Sequence, residues 1–173
     1  MRLTGITSIT PARRTLLVLA ALIGLGVLHG IGWLLPQVWV SIATLFAIAA
    51  GADLLTVLAM QPPTVEREVP SSLALGVRAP VTLAVTNRGR FEPSALLHDV
   101  HPIEFSHDAL PLKVRLTHGV SRYQYHVRPK RRGDAHFRRV DCLLHSPLGL
   151  WWRKIMLGDS MRIRVYPNFS AIS

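Results

Sequence analysis

The chain has 173 residues, and its 20 Lys+Arg against 10 Asp+Glu give a formal net charge of +10 at pH 7. Its single cysteine, Cys142, excludes an intrachain disulfide and leaves no second thiolate for a metal site. Apolar residues make up 49% of the chain but are concentrated in its first third, where His29 and Asp53 are the only ionisable side chains between residues 15 and 60. This distribution indicates a membrane segment followed by one small domain.

Two apolar runs are each long enough to cross a bilayer, which requires about 20 residues. They cover residues 15–35 and 38–60, and only Pro36 and Gln37 separate them. Because proline ends or kinks a helix, the pair predicts a tight transmembrane hairpin, with Trp33 and Trp39 in the headgroup layer beside the turn. A cleaved signal peptide is the competing interpretation, but its apolar core would be shorter and no second span would follow it.

The arginines of residues 1–14 predict the orientation. Arg2, Arg13 and Arg14 precede the first span, whereas the connecting turn has no positive charge. By the positive-inside rule the N-terminus lies in the cytoplasm, and two crossings return the chain there. The region from residue 61 onward is therefore expected to be cytoplasmic.

Small residues suggest how the two helices pack. A turn at residues 36–37 would place Gly30 level with Ala43 and Gly26 level with Ala47. Small residues on facing helices let the backbones approach closely. The alternative is that glycine and alanine are simply common in membrane helices.

Asp53 is the one acidic residue of the second span, and ending the span before it would leave too few residues to cross. A carboxylate in that position costs about 3 kcal/mol on insertion scales. One hypothesis is that Asp53 is protonated, or makes an intramembrane polar contact with another subunit or protein. The other is that water and snorkelling accommodate it near the interface.

Alternating apolar residues replace the helical pattern after Gln61-Pro62-Pro63. The alternation predicts strands at residues 80–87, 112–117, 121–128 and 161–167, separated by turn signals such as Gly158-Asp159. Several short strands without a convincing helix are typical of an antiparallel sandwich or barrel. The predicted fold class is a two-helix transmembrane hairpin (15–60) followed by an all-β, sandwich-like (Ig-like) domain over residues 61–173.

The domain shows no recognisable catalytic or cofactor motif. There is no GxSxG sequence, and the glycine-rich stretch of the chain lies within the first span. Three histidines lie near three acids, but the spacing matches no metal-ligand pattern: His98, His101 and His107 with Asp99, Glu104 and Asp108. We therefore predict a non-enzymatic protein without a cofactor or metal.

The strongest polar feature is a basic run at residues 128–139. Its functional interpretations are contact with anionic lipid headgroups or with an acidic partner. A solvated turn is the alternative, and nucleic-acid binding is not favoured because no recognition motif accompanies the charge. The basic residues of the run are Arg128, Lys130, Arg131, Arg132, Arg138 and Arg139.

A more specific combination of residues occurs in the second half of the chain. It consists of Arg131-Arg132-Gly133, Val140, Ser146-Pro147-Leu148-Gly149-Leu150 and Val165-Tyr166-Pro167. With Asp53, Arg67, Leu75-Gly76, Val85-Thr86-Asn87 and Pro102 after Asp99, it resembles the membrane proteins of the family called domain of unknown function 58. We expect the motif to be structural, with Pro147 and Gly149 shaping a connection. Leu148, Leu150, Trp151 and Trp152 would then close the core.

The resemblance implies a location and a partner. It implies a multi-pass protein of the bacterial cytoplasmic membrane that works with a MoxR-type AAA+ ATPase. Members of the family continue beyond Tyr-Pro into a von Willebrand factor A-like region, whereas this sequence stops at Ser173. We therefore expect the chain to correspond to the N-terminal portion of such a protein.

Overall fold

Two helices come first in the computed structural model, which describes residues 8–33 and 35–167. Helix α1 covers Arg13–Gly30 and helix α2 covers Pro36–Ala59. Pro36 begins α2 instead of breaking the chain, because the first turn of a helix needs no amide hydrogen at that position. The connection is therefore at residues 31–35, where Gly32 has a φ of +82°, and α1 ends five residues before the predicted span does.

Both helices are long and apolar enough to cross a membrane, and their apolar side chains are mostly exposed. Only 6% of α1 and 17% of the most apolar part of α2 is buried. Leu17 and Ile23 on α1 and Leu45 and Ile48 on α2 are more than half exposed. A helix in the core of a soluble protein would instead bury most of this surface.

The inner face of α2 follows helical spacing. Its buried and half-buried positions recur every three or four residues and include Trp39, Ala43, Phe46, Ala50, Asp53 and Val57. The same spacing on α1 includes Thr15, Val18, Leu22 and Gly26. Asp53 therefore lies on the inward-facing stripe of its helix.

Twelve strands occur in the described residues. They are β1 (Ser8–Pro11), β2 (Thr64–Glu68), β3 (Ser72–Ala74), β4 (Ala79–Asn87), β5 (Ser94–Asp99), β6 (Phe105–His107), β7 (Leu112–Arg115), β8 (Gly119–Pro129), β9 (Gly133–Phe137), β10 (Val140–His145), β11 (Trp151–Leu157) and β12 (Met161–Tyr166). The five-stranded sheet has the order β1-β11-β10-β5-β7, the four-stranded sheet β2-β4-β8-β6 and the three-stranded sheet β3-β12-β9. β3 and β12 pair in parallel, whereas β2, β4, β8 and β6 pair antiparallel.

The predicted fold class is confirmed: two apolar helices precede an antiparallel β-sandwich. The predicted strands correspond to β4, β7, β8 and β12. In β4 the alternating residues Val81, Leu83 and Val85 are buried, and in β8 Tyr125 and Val127 are buried with them. These side chains form the centre of the sandwich core.

The chain divides into two compact units. In the described part of the chain, Gln61–Leu143 and residues 154–167 belong to one unit, which we call the β unit. Ser8–Met60 and Leu144–Arg153 belong to the other, which we call the helical unit. The predicted domain over residues 61–173 is therefore interrupted, because residues 144–153 belong to the helical unit. Strand β1, from the predicted N-terminal segment 1–14, also belongs to the helical unit.

Candidate functional site

Asp53 binds the turn that connects β10 to β11. It is 3% exposed, and its Oδ2 accepts hydrogen bonds from Ser146 Oγ at 2.5 Å and from the Leu150 amide at 3.2 Å. Its Oδ1 accepts a third from the Leu148 amide at 2.9 Å. The hydrogen-bond partners of Asp53 that the structure shows are thus in its own chain, which neither sequence hypothesis anticipated.

The local sequence explains why this turn can present its amides to one carboxylate. Pro147 has no amide hydrogen, and Gly149 has a φ of +71°, a conformation that favours glycine. The Gly149 amide donates to the Ser146 carbonyl at 3.0 Å, and the Trp151 amide donates to Ser146 Oγ at 2.9 Å. Every amide hydrogen from Leu148 to Trp151 therefore has an acceptor.

The start of α1 holds the same turn from the other side. The Leu150 carbonyl accepts a hydrogen bond from the Ala12 amide at 2.8 Å and another from Thr15 Oγ. Ala12 and Thr15 are both buried. Because the Leu150 amide donates to Asp53, this single residue joins the beginning of α1 to the inner face of α2.

Two further side chains attach β11 to α2. Trp151 donates its indole N–H to the Ala50 carbonyl at 2.9 Å. Arg153 donates through Nη1 to the carbonyls of Val57, Leu58 and Met60 at 2.9–3.1 Å. A cation over the last carbonyls of a helix satisfies groups that have no intrahelical partner and complements the helix dipole.

The structure corrects part of the predicted role of the turn motif. Leu150 is buried, but Leu148 is 53% exposed and does not close the core. Trp151 and Trp152 are half-buried. The sequence could not place Leu148, because the turn is bound by Asp53, which lies 95 residues away in the chain.

The remaining motif residues lie at strand ends. Gly133 begins β9 with a φ of +118° and pairs with Val165. The Tyr166 carbonyl accepts from the Leu75 amide at 2.9 Å, and the exposed Pro167 follows the end of β12. None of these side chains joins the site around Asp53.

The helices pack in a different register from the predicted one. A Cβ on Gly26 would lie 3.3 Å from Trp39 Nε1, so Gly26 faces Trp39 and not Ala47, which is exposed. A Cβ on Gly30 would meet nothing within 4 Å, and Ala43 is half-buried. The shift arises because the helices are connected at residues 31–35 and not at 36–37.

The two tryptophans beside the connection also differ from each other. Trp33 is 81% exposed, as a headgroup anchor would be. Trp39 instead turns inward, where its indole N–H donates to the Leu22 carbonyl at 3.2 Å and its ring stacks on His29. Of the two tryptophans predicted to lie in the headgroup layer, Trp39 packs against α1 and Trp33 does not.

The basic run lies in the β unit. Arg128 is the penultimate residue of β8 and donates through Nε to the Gly76 carbonyl at 2.5 Å. Within the described residues, no carboxylate forms an ion pair with the run's other basic side chains, of which only Arg139 is half-buried and the rest are exposed: Lys130, Arg131, Arg132, Arg138 and Arg139.

Two arginines of β12 extend this charge. Arg164 lies opposite Asp134 and Arg162 opposite His136 in the register between β12 and β9. Asp134 accepts from Arg162 at 2.5 Å and from Arg164 at 3.2 Å, and these hydrogen bonds lower the pKa of Asp134. In the sequence of β12, arginine alternates with Met161, Ile163 and Val165, and this alternation places Arg162 and Arg164 on the same face of the strand. We call Arg131, Arg132, Arg162 and Arg164 the basic surface.

A buried ion pair lies elsewhere in the β unit. Arg67 donates from Nε and Nη2 to the two oxygens of Asp99 at 2.9 and 2.5 Å, and its guanidinium lies 5.0 Å from the Phe137 ring centre. Tyr125 donates its hydroxyl to Asp99 Oδ2 at 2.6 Å. Burial, and then the charge of Asp99, raise the pKa of Tyr125 well above its usual range. The network joins β2, β5 and β8, which makes its role structural.

The histidines come together without forming a metal site. The His101 and His107 rings meet edge to face, with centres 4.3 Å apart. Burial, followed by the charges of His101 and His98, lowers the pKa of His107. In the part of the chain that the structure describes, no group of three or more His, Cys, Asp or Glu side chains could hold a metal ion.

Neither a protein-family model nor a curated protein matches the chain. Among solved structures it is similar to a cohesin module of a family 33 glycoside hydrolase from Clostridium perfringens, with 12% identity, a TM-score of 0.42 and coverage of 61% of this chain and 98% of that one. It is also similar to a CARDB domain from Pyrococcus furiosus solved with two metal ions, with 12% identity, a TM-score of 0.42 and coverage of 62% and 90%. For the SrpA adhesin of Streptococcus sanguinis the values are 9%, 0.38, 65% and 62%. At these values the likeness carries no functional assignment.

Proposed function

We propose that the protein is a membrane-anchored, non-enzymatic interaction or assembly protein, with α1 and α2 as its transmembrane hairpin. The observation that carries the proposal is the outward apolar surface of both helices, which only a lipid phase or a large apolar partner would cover. The β-sandwich supplies the part that meets other molecules.

The lengths of the helices support this anchoring. From Arg13 to Gly30 and from Pro36 to Asp53 the chain makes seventeen helical steps, or about 25 Å at 1.5 Å per residue. Arg13 and Asp53 thus stand at one level, and the connection at residues 31–35 stands at the other end. The connection with its exposed Trp33 adds to this length, so the hairpin approaches the roughly 30 Å of a hydrocarbon layer.

Arginine at the open end of the hairpin favours a cytoplasmic β unit. Arg13 and Arg14 are both exposed where α1 begins, and positive charge is retained on the cytoplasmic side. Arg2 lies outside the described residues. The family resemblance adds the bacterial cytoplasmic membrane as the location and a MoxR-type AAA+ ATPase as the partner, met through the β unit.

Co-purification of the full chain from its native membranes tests the partner. We expect a MoxR-type ATPase to be retained with the wild-type chain, and its absence would overturn this partnership. The double variant Arg131→Glu/Arg132→Glu tests whether the basic surface makes the contact. Arg88→Glu/Arg90→Glu is the matched control, because it makes the same charge change at two exposed arginines in another connection.

The second candidate function is binding of anionic lipid by the basic surface. It is favoured by Arg131 and Arg132, which are exposed and form no ion pair within the described residues. Each such cation is worth about 1 kcal/mol near a negative membrane. The test uses His136→Cys, an exposed position on the same strand face, in nanodiscs of phosphatidylcholine with and without phosphatidylglycerol. Lipid contact predicts slower modification by a neutral maleimide in anionic discs and recovery in high salt, while Val120→Cys on β8 should react equally in both.

A further inference from the structure

We infer that residues 146–150, together with Trp151, enter the boundary between the headgroups and the acyl chains of the bilayer. We call this segment the interfacial turn. The inference rests on the proposed anchoring of α1 and α2, and it assigns a lipid contact to a part of the β-sandwich sequence.

The depth of the turn follows from its partners on α2. Its Leu148 and Leu150 amides donate to Asp53, which stands level with the first residues of α1. Trp151 reaches further, because its indole N–H donates to the carbonyl of Ala50. Ala50 lies almost one helical turn closer to the connection between the helices, or about 4.5 Å along the axis.

The side chains that point outward from the interfacial turn suit this depth. Leu148 is 53% exposed and Pro147 is exposed, although apolar side chains of the adjoining strands, such as Leu144 on β10 and Ile155 on β11, are buried. Indole rings such as that of Trp151 favour the membrane boundary, where an apolar ring can keep a polar N–H satisfied. The charged groups beside the turn are Arg14, whose guanidinium lies against Gly149, and Arg153, which reaches back to the end of α2.

The hydrogen bonding of the turn removes the usual obstacle to placing irregular backbone in lipid. Each unsatisfied amide in hydrocarbon is costly, so non-helical backbone occurs at membrane depth only when protein groups satisfy it. Here the four amides from Leu148 to Trp151 donate to Asp53, to Ser146 Oγ or to the Ser146 carbonyl. Pro147 has no amide to satisfy. Asp53, which accepts from two of these amides, and Pro147, which has no amide hydrogen, both reduce the number of unsatisfied donors in the turn.

Spin labelling in phosphatidylcholine nanodiscs tests the inference. A nitroxide is attached to Leu148→Cys in the full chain carrying Cys142→Ala, and its collisions with oxygen and with a water-soluble nickel chelate are compared. Leu45→Cys, on the exposed face of α2, is the lipid control, and Ile103→Cys, 93% exposed in the β unit, is the water control. We expect the label at Leu148 to favour oxygen over nickel at least several-fold more than the label at Ile103.

Each other outcome has a definite meaning. If the label at Leu45 favours oxygen while the label at Leu148 favours nickel, the interfacial turn is in water and the inference is wrong, but the anchoring stands. If both favour nickel, the anchoring and the inference fail together. Protection of Leu148 from both reagents would assign the turn to a protein contact and would also overturn the inference.

Discussion

Removing the carboxylate of Asp53 should destabilise the helical unit strongly. Asp53→Ala deletes the acceptor of three hydrogen bonds, two of them at 2.5 and 2.9 Å, and leaves a hydroxyl and two amides without it. A buried donor left unsatisfied costs about 1–3 kcal/mol. Because the Leu150 bond is longer, at 3.2 Å, we expect a loss of about 3–6 kcal/mol in the free energy of unfolding.

The assay is unfolding of the full chain in mixed micelles with a rising fraction of dodecyl sulfate, followed by tryptophan fluorescence. Glu68→Ala is the matched control: it also removes one negative charge, but Glu68 is 56% exposed and 3.8 Å from Arg122. An exposed pair of this kind contributes at most about 1 kcal/mol. The control should therefore unfold close to the wild type.

Ser146→Ala separates the proposed hydrogen bonding from other effects of the charge. Ser146 Oγ donates to Asp53 and accepts from the Trp151 amide, so its loss should cost about 2 kcal/mol. The loss of unfolding free energy in the double variant should be smaller than the sum of the two single losses by about 1 kcal/mol or more. Additive losses, or an Asp53→Ala variant as stable as the Glu68→Ala control, would refute the reasoning.

Three further predictions concern the β unit. Arg67→Ala should lower the free energy of unfolding by about 3–5 kcal/mol, measured by chemical denaturation in detergent, because it leaves the Asp99 carboxylate buried without its cation. Cys142 is 0% exposed and burial raises its thiol pKa to about 12, so a maleimide should modify it only after unfolding, and rapid modification of the folded chain would contradict this. Because burial and the neighbouring histidines lower the pKa of His107, the unfolded chain takes up that proton first as the pH falls. Stability should therefore decline as the pH falls below the ordinary histidine pKa of about 6.5, and His107→Gln should reduce that slope in a series of thermal melts.

The elements that could be predicted are those whose pattern is complete within a few residues. The alternation in β4 predicts its buried face directly, and Val81, Leu83 and Val85 are all buried in the structure. β10 has the same alternation in Val140, Cys142 and Leu144, so the same rule applies to it. β3 and β6, with three residues each, are too short for any periodicity to show.

The site could not be predicted from local patterns because its parts are far apart in the chain. Asp53 and Ser146 are separated by 93 residues, and neither has a neighbour in sequence that suggests the other. The family resemblance contains both, but it does not pair them. The predicted register between the helices was wrong for a more local reason. Proline can break a helix or begin one, and Pro36 begins α2.

The partners of Asp53 remove the difficulty that a carboxylate poses in an apolar helix. Insertion of an aspartate at the centre of a span costs about 3 kcal/mol, and less toward the boundary. Asp53 stands level with Arg13, at the end of the shorter helix, and the six residues of α2 beyond it lead to the carbonyls that Arg153 satisfies. Its two oxygens accept three hydrogen bonds there, more than a single neutral hydroxyl would accept from amides. A carboxylate that would be costly in an isolated apolar helix therefore allows an irregular turn to pack against α2, because each satisfies the polar atoms of the other.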